Sequence, residues 1–292
     1  MEKEKHMIKL IASDMDGTLL NDEHTISEEN IKAIKIAEER GCHFTIVTGR
    51  DYSGVKNFFQ EFDLKCECIL SNGAEYRDIN GDVIERITID NDTVRKIVQV
   101  MMEANVAIEM FTEDGMIIIN EDIYKESLLQ RFRRYNKGKT DLEIIEIARN
   151  MYDTWKPEMI KDVEGFLDSN TDILKIMTYH EDAQYIKELK EKLKNIEGVA
   201  VASTFANDIE ISNIQAQKGL ILAKVIEKMG IKKEEVIVLG DSFNDYSMFT
   251  EFENSFAMEN AIPEIKEIAK YITDSNDNDG VAKAIYKALE WK

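Results

Sequence analysis

The sequence predicts an α/β fold, a doubly wound, Rossmann-like parallel sheet interrupted by an inserted α+β domain. Three observations carry that expectation. Short apolar runs alternate with helical patterns over the first third of the chain, the alternation breaks after Ser71-Asn72-Gly73, and it resumes after Ser212. The expected division is residues 1–88 for the first part of the core, 89–212 for the insertion and 213–292 for the second part of the core.

The elements follow in order. Ile8 to Ser13 is a short apolar run, Ser27-Glu28-Glu29-Asn30 opens a helical pattern through Glu39, and Gly41 ends it before the apolar run Phe44 to Val47. A helix at Tyr52 to Phe62 and a strand at Cys68 to Leu70 repeat the unit, so the start reads βαβαβ and implies right-handed, parallel connections. In such sheets ligands sit at the carboxyl ends of the strands. Beyond Gly73, Glu75 to Ile79 and Val83 to Ile87 flank Asn80-Gly81, a hairpin turn signal.

The insertion predicts a helix at 92–104, strands at 106–111 and 115–119, and a long helical and irregular stretch to 167. A strand at 172–179, a helix at 181–194 and strands at 199–204 and 207–211 complete it. The core resumes with helix 218–229, strand Val236 to Leu239, helix 244–252, strand 254–257, helix 261–269 and a closing helix at 279–290.

Composition narrows the function classes. The 57 acidic and 37 basic residues give a net charge of −20, which repels a phosphate backbone and argues against nucleic acid as a partner. A small anionic substrate stays compatible, because one lysine and a bound cation reverse the potential inside a single cleft. No apolar run reaches 18 residues, so no membrane partner is expected, and the charged start Met1 to Lys9 does not read as a secretory signal. These absences lead to an expected cytoplasmic location. Cys42, Cys66 and Cys68 read as reduced thiols, and His6, His24, His43 and His180 lack metal-ligand spacing.

The chemistry concentrates at three expected strand ends. Asp14-Met15-Asp16-Gly17-Thr18-Leu19-Leu20 follows the first strand, and carboxylates at i and i+2 emerge on one side of an extended chain. Such a pair suits metal-assisted phosphoryl transfer, one carboxylate attacking phosphorus while the other exchanges protons with leaving group and water. Thr45-Ile46-Val47-Thr48-Gly49-Arg50 puts a hydroxyl and free N–H groups at the same edge, although by itself it also reads as a plain turn. Val236 to Leu239 leads into Gly240-Asp241-Ser242-Phe243-Asn244-Asp245, whose carboxylates suit a hard cation. Lys218 opens a helix, where the macrodipole disfavours a cation, and its ordinary reading is a solvated surface lysine.

Taken together and in this order, these residues resemble the haloacid dehalogenase (HAD) superfamily and, within it, the Cof-type phosphatases, whose large α+β cap is inserted between the second and third motifs. The resemblance also includes Ser71-Asn72-Gly73-Ala74, Ala257-Met258-Glu259-Asn260-Ala261 and Asp279-Gly280-Val281-Ala282. It implies Asp14 as the nucleophile that forms an aspartyl-phosphate and Asp16 as general acid, then base. It implies Mg²⁺ held by the Asp14 carboxylate, the Asp16 carbonyl oxygen and Asp241, with Asp245 nearby and Ser242 adding a contact. Thr48, Gly49, Lys218, Asn244 and the Met15 amide are the implied phosphoryl-binding groups.

The implied activity is a Mg²⁺-dependent phosphatase acting on a small phosphorylated metabolite, with sugar phosphates, flavin nucleotides and pyridoxal phosphate as candidates. The alternatives are a phosphomutase of the same superfamily and a phospho-accepting signalling or binding module, the latter being far shorter and without an insertion. Asp51 stands where the family commonly has proline, Phe243 replaces a smaller residue and Glu259 stands where glycine is usual. The basic and aromatic run Arg131 to Lys139 reads as a solvated helix end, with anion or nucleic-acid binding as the other option. A calcium loop ending at Tyr286 is rejected, because its twelfth position is not glutamate.

Overall fold

The computed structural model describes residues 7–169 and 171–291, so His6 and most of the charged start lie outside the described residues. Two compact units emerge: one holds the described residues up to Arg86 and from Gln215 on, the other is Ile87–Ile214. The changeovers fall two residues from the expected ones because Thr88 and Ile89 are tied into the insertion. Asn213 donates to the Thr88 carbonyl at 2.8 Å and Ile89 bridges Ile173.

The core unit begins with β1 (Leu10–Ser13), α1 (Glu28–Glu39), β2 (His43–Val47), α2 (Tyr52–Glu61) and β3 (Glu67–Leu70), followed by the hairpin β4 (Glu75–Arg77) and β5 (Val83–Arg86). Local chemistry starts the helices. Ser27 caps α1 by accepting from Asn30 N, with Glu28 and Glu29 in the first turn, where the helix dipole favours them. Asp51 caps α2 by accepting from Gly54 N at 2.9 Å, a local reason for an acidic residue at this position.

The insertion comprises α3 (Asn91–Glu103), β6 (Glu109–Thr112), β7 (Gly115–Ile118), α4 (Glu121–Tyr135), α5 (Asp141–Trp155), β8 (Glu158–Met159), α6 (Val163–Asp168), β9 (Lys175–Tyr179), α7 (Ala183–Leu193), β10 (Val199–Ala202) and β11 (Asp208–Asn213). Its sheet runs β10-β11-β9-β6-β7-β8, antiparallel except for the β7·β8 pair. Ile117 joins a buried cluster with Ile97, Ile176, Leu189 and Ile211, whereas Met116 and Ile118 join Tyr124, Leu128 and Ala148 of α4 and α5. The two-residue period of β7 therefore sends alternate side chains into two separate apolar layers.

The stretch expected as long and irregular resolves into α4, α5, β8 and α6, divided by Gly138 and by a reciprocal cap in which Thr140 and Glu143 satisfy each other's backbone. The strand expected from 106 starts at Glu109, because Val106 N closes the end of α3 by bonding the Met101 carbonyl. Arg131 departs from the expected solvated helix end: its guanidinium is buried, pairs with Glu109 and lies 5.5 Å over the Tyr179 ring. Arg133 and Arg134 are exposed.

The core resumes with α8 (Lys218–Met229), β12 (Val236–Gly240), α9 (Tyr246–Glu251), β13 (Ser255–Ala257), α10 (Pro263–Ile268), β14 (Tyr271–Ile272) and α11 (Gly280–Leu289). Among the described residues its sheet has eight strands in the order β14-β13-β12-β1-β2-β3-β4-β5, parallel from β14 to β3 and antiparallel in the hairpin. Two-residue β14 was not anticipated, being too short to show a period. The cysteines are buried and free, and burial pushes the Cys68 thiol up to about 12.

Candidate active site

Parallel pairing of β1 with both β2 and β12 decides where the polar loops meet. Ser13 pairs with Ile46 on one side and Leu239 on the other, so the chain leaves these strands at Asp14, Thr48 and Asp241 along one sheet edge. Three largely buried strands thus carry their functional polar residues to a common end.

Lys218, the first residue of α8, is completely buried. Its Nζ donates to Asp14 Oδ1 and Asp245 Oδ1, each at 2.7 Å. The ordinary reading of Lys218 as a solvated lysine is therefore overturned. Burial opposes its charge, but Asp14 and Asp245 outweigh that penalty and hold the ammonium above the usual lysine range. Asp14 shifts the opposite way from a simple ion pair: burial raises its carboxyl, and Asp245 and Asp241 raise it further against the pull of Lys218. Asp241 is raised by burial and then by Asp245.

Carboxylate oxygens of Asp14, Asp241 and Asp245 lie within 4.8 Å of one another. Three hard oxygen donors crowded to that degree fit a divalent cation such as Mg²⁺. Asp245 spends its second oxygen on the backbone N–H groups of Asp241 and Ser242, at 2.9 and 3.1 Å. That bond set turns Phe243–Asp245 into a 3₁₀ segment, which delays α9 to Tyr246 where a helix from 244 was expected. The Ser242 hydroxyl donates to Asn244 Oδ1 at 2.8 Å.

The loop after β1 is folded against the same carboxylates. Gly17 has φ +77°, and a Cβ there would stand 2.6 Å from Asp241 Oδ2. Thr18 Oγ1 donates to Asp241 Oδ1 at 3.0 Å, while the Met15 carbonyl accepts from Thr18 N and Leu20 N. Asp16 turns its carboxylate to Arg50, accepting from Nε at 2.8 Å and Nη2 at 2.5 Å. Arg50 is in turn steadied by the Gly54 carbonyl and lies 5.3 Å over the Phe58 ring.

Thr48 is buried, its Oγ1 accepting from Arg50 N and its carbonyl from Asn72 N, and Gly49 follows it half-buried. Ser71, Asn72 and Gly73 all have positive φ, an uncommon run that the Asn72 N and Ser71 N bonds to Thr48 and Arg50 carbonyls hold in place. Asn72 Oδ1 accepts from Asn244 Nδ2 at 3.4 Å. Ser71 Oγ is buried without a partner among the described residues.

The core unit thus brings Asp14, Met15, Asp16, Thr48, Gly49, Lys218, Asp241, Ser242, Asn244 and Asp245 to one edge. The sequence reading left out Arg50, Thr18 and Asn72. All three stood inside quoted motifs, and the signal for Arg50 was its place two residues after Thr48, just past the end of β2. Glu259 is exposed, and Phe243 is 43% exposed.

A family model described as haloacid dehalogenase-like hydrolase matches residues 11–285. Two 5-amino-6-(5-phospho-D-ribitylamino)uracil phosphatases of Bacillus subtilis (strain 168) are similar along nearly their whole length. One is 32% identical over 97% of this chain and 98% of its own, the other 34% identical over 98% and 97%. A solved haloacid dehalogenase-like hydrolase from B. subtilis superposes with a TM-score of 0.83 at 29% identity, covering 96% of this chain and 99% of that one.

Proposed function

Since this chain belongs to the haloacid dehalogenase-like hydrolases and is a phosphoric monoester hydrolase of that family, we propose that it releases phosphate from a small phosphorylated metabolite through an aspartyl-phosphate on Asp14, with Mg²⁺ as cofactor. The observation that carries this reading is the buried Lys218 bridging Asp14 and Asp245 beside Asp241. Lys218 orients the Asp14 carboxylate and offers positive charge where a phosphoryl group would gather negative charge. Asp245 holds Lys218, and its second oxygen sets the turn that presents Asp241.

Asp14 attacks phosphorus, the bond to the leaving oxygen breaks, and Asp16, carrying a proton and parted from the Arg50 fork that holds it at rest, supplies the proton that oxygen needs. Asp16 then takes a proton from the water that hydrolyses the acyl phosphate. Thr48, Gly49, Asn244 and the Met15 amide would orient the phosphoryl oxygens. Mg²⁺, held by Asp14, Asp241 and the Asp16 carbonyl with Asp245 and Ser242 adjoining, would neutralise charge on the phosphoryl group.

The inserted unit, residues 87–214, serves in this reading as the cap that selects the leaving group and excludes water. The two similar B. subtilis phosphatases put a phosphorylated ribitylaminouracil at the head of the substrate panel. Phosphate release is measured from that compound, sugar phosphates, flavin mononucleotide, pyridoxal phosphate and an aryl phosphate, with Mg²⁺ or chelator, for wild type and Asp14→Asn. Release that needs both Mg²⁺ and Asp14 supports the proposal. Full activity in Asp14→Asn sinks the nucleophile, and phosphate returned to substrate instead of released would make the enzyme a mutase.

A further inference from the structure

The segment Ala257-Met258-Glu259-Asn260-Ala261 was singled out in the sequence, yet none of its side chains enters the chemistry above. Its backbone is fastened to the strand end that presents Asp241. Met258 N donates to the Gly240 carbonyl at 3.2 Å and Ile262 N to the Asp241 carbonyl at 2.9 Å. From this anchored loop Asn260 reaches across to the other acidic loop, its Nδ2 donating to the Gly17 carbonyl at 2.7 Å.

The far side of the Asn260 amide is held as well. Its Oδ1 accepts from Asn276 N at 3.1 Å, which leaves Nδ2 aimed at Gly17. Asn276 is buried and its own Nδ2 donates to the Leu20 carbonyl and to Asp22 Oδ1, each at 3.1 Å. Asp22 N donates to Asp277 Oδ1 at 2.9 Å. The loop from Gly17 to Asp22 is thereby fixed at both ends to the loops that follow β13 and β14.

Gly17 lies close against the second acidic loop, since its missing Cβ would stand 2.6 Å from Asp241 Oδ2. No slack exists there. Asp14 and Asp16 precede Gly17 by three residues and one, and Asp241 lies at the other end of the connection, so the Asn260 bond adds a third tie between these acidic groups to the β1·β12 pairing and the Thr18–Asp241 bond.

We propose that Asn260 is a positioning residue of the cation site, a strut from the Asp241 loop to the Gly17 carbonyl that helps set the separation of Asp14 and Asp241. The proposal rests on the reading of those two aspartates as cation ligands. Asn260 touches neither the cation cluster nor the phosphoryl-binding groups by its side chain, and it acts through the backbone of Gly17. Being exposed, it is removed without opening a cavity.

The test is direct Mn²⁺ binding to the chelator-stripped protein, read by loss of the free-ion electron paramagnetic resonance signal, together with the melting temperature. Wild type, Asn260→Ala, Asn260→Asp and Asp241→Asn are compared. Asn260→Asp keeps an acceptor for Asn276 N but sets oxygen against the Gly17 carbonyl, so it separates the strut from the Asn276 bond. Loss of the Gly17 bond, which both variants share, predicts about three- to tenfold weaker Mn²⁺ binding in Asn260→Ala and at least as much in Asn260→Asp, with metal-free melting temperatures close to wild type. Wild-type Mn²⁺ affinity in both Asn260 variants, alongside lost binding in Asp241→Asn, overturns the strut and leaves the cation site standing. Unaltered binding in Asp241→Asn, or none in wild type, overturns the cation reading and the strut with it. Weakened binding matched by a large drop in the metal-free melting temperature of both Asn260 variants also overturns the proposal, in favour of a purely structural bond.

Discussion

Arg50 grips Asp16 by two parallel hydrogen bonds, Nε at 2.8 Å and Nη2 at 2.5 Å, so the carboxylate expected to exchange protons is anchored to β2's end while Asp14 is anchored to α8. The two carboxylates of one short motif are thus held by different cations on different elements. Their separation of roles is built into the resting site.

Removing the fork leaves Asp16 free to rotate. Arg50→Ala is expected to lower kcat about tenfold or more, with a smaller change in KM, because Asp16 loses the partner that orients it between its two proton transfers. Arg50→Lys does not restore it, since an ammonium cannot make the paired bonds. Steady-state kinetics on the best substrate of the panel checks this; wild-type kcat in Arg50→Ala would remove Arg50 from the mechanism.

Lys218 neutralises two buried carboxylates, so its loss has consequences for folding as well as turnover. Lys218→Met should abolish phosphate release and destabilise the metal-free protein by about 3 kcal/mol, the usual cost of stranding one side of a buried ion pair. Mg²⁺ should return part of that loss by supplying the missing charge. Denaturant titrations with Mg²⁺ and with chelator measure both effects, and equal stability in all four conditions contradicts the assignment.

Gly17 tests the closeness of the two acidic loops. With φ +77° and a Cβ position 2.6 Å from Asp241 Oδ2, Gly17→Ala must either twist its own loop or displace Asp241. Turnover is expected to fall by at least a hundredfold. Crystallography of the variant shows which loop yields.

Asp208 in the insertion provides a pH signature separate from catalysis. Burial and then the neighbouring Glu210 push its carboxyl from 3.8 up to about 7, against the backbone N–H groups of Phe205 and Thr204. A raised carboxyl binds its proton more tightly folded than unfolded, so this residue makes stability fall as pH climbs from about 4 to 7. In Asp208→Asn the side-chain oxygen can still accept from Thr204 N and Phe205 N, while the titration is gone. The variant should therefore gain on wild type across that window, by up to about 1.4 kcal/mol per pH unit. Parallel stability curves for the two proteins from pH 5 to 8 would refute it.

What the chain order determined by itself was the alternation that makes a parallel sheet and the polar motifs that end its strands. Apolar runs such as Leu10 to Ser13 and Val236 to Leu239 are buried on both faces, and that requirement is written in consecutive residues. Asp14, Thr48 and Asp241 were legible because each directly follows such a run. The short structures set by side-chain bonds were not. The Thr140 cap divides α4 from α5, and Asp245 replaces the first turn of α9, and neither has a period to read.

The tertiary structure alone decided the partners. The one local signal for Lys218 was its place at a helix start, and its partners could not be read there, because Asp14 and Asp245 lie 204 and 27 residues away in the chain. The same holds for Arg131 against Glu109, Arg50 against Asp16 and Asn260 against Gly17. Hydrophobic periodicity is a property of neighbours along the chain, whereas an ion pair or a strut depends on which loops the sheet order sets side by side.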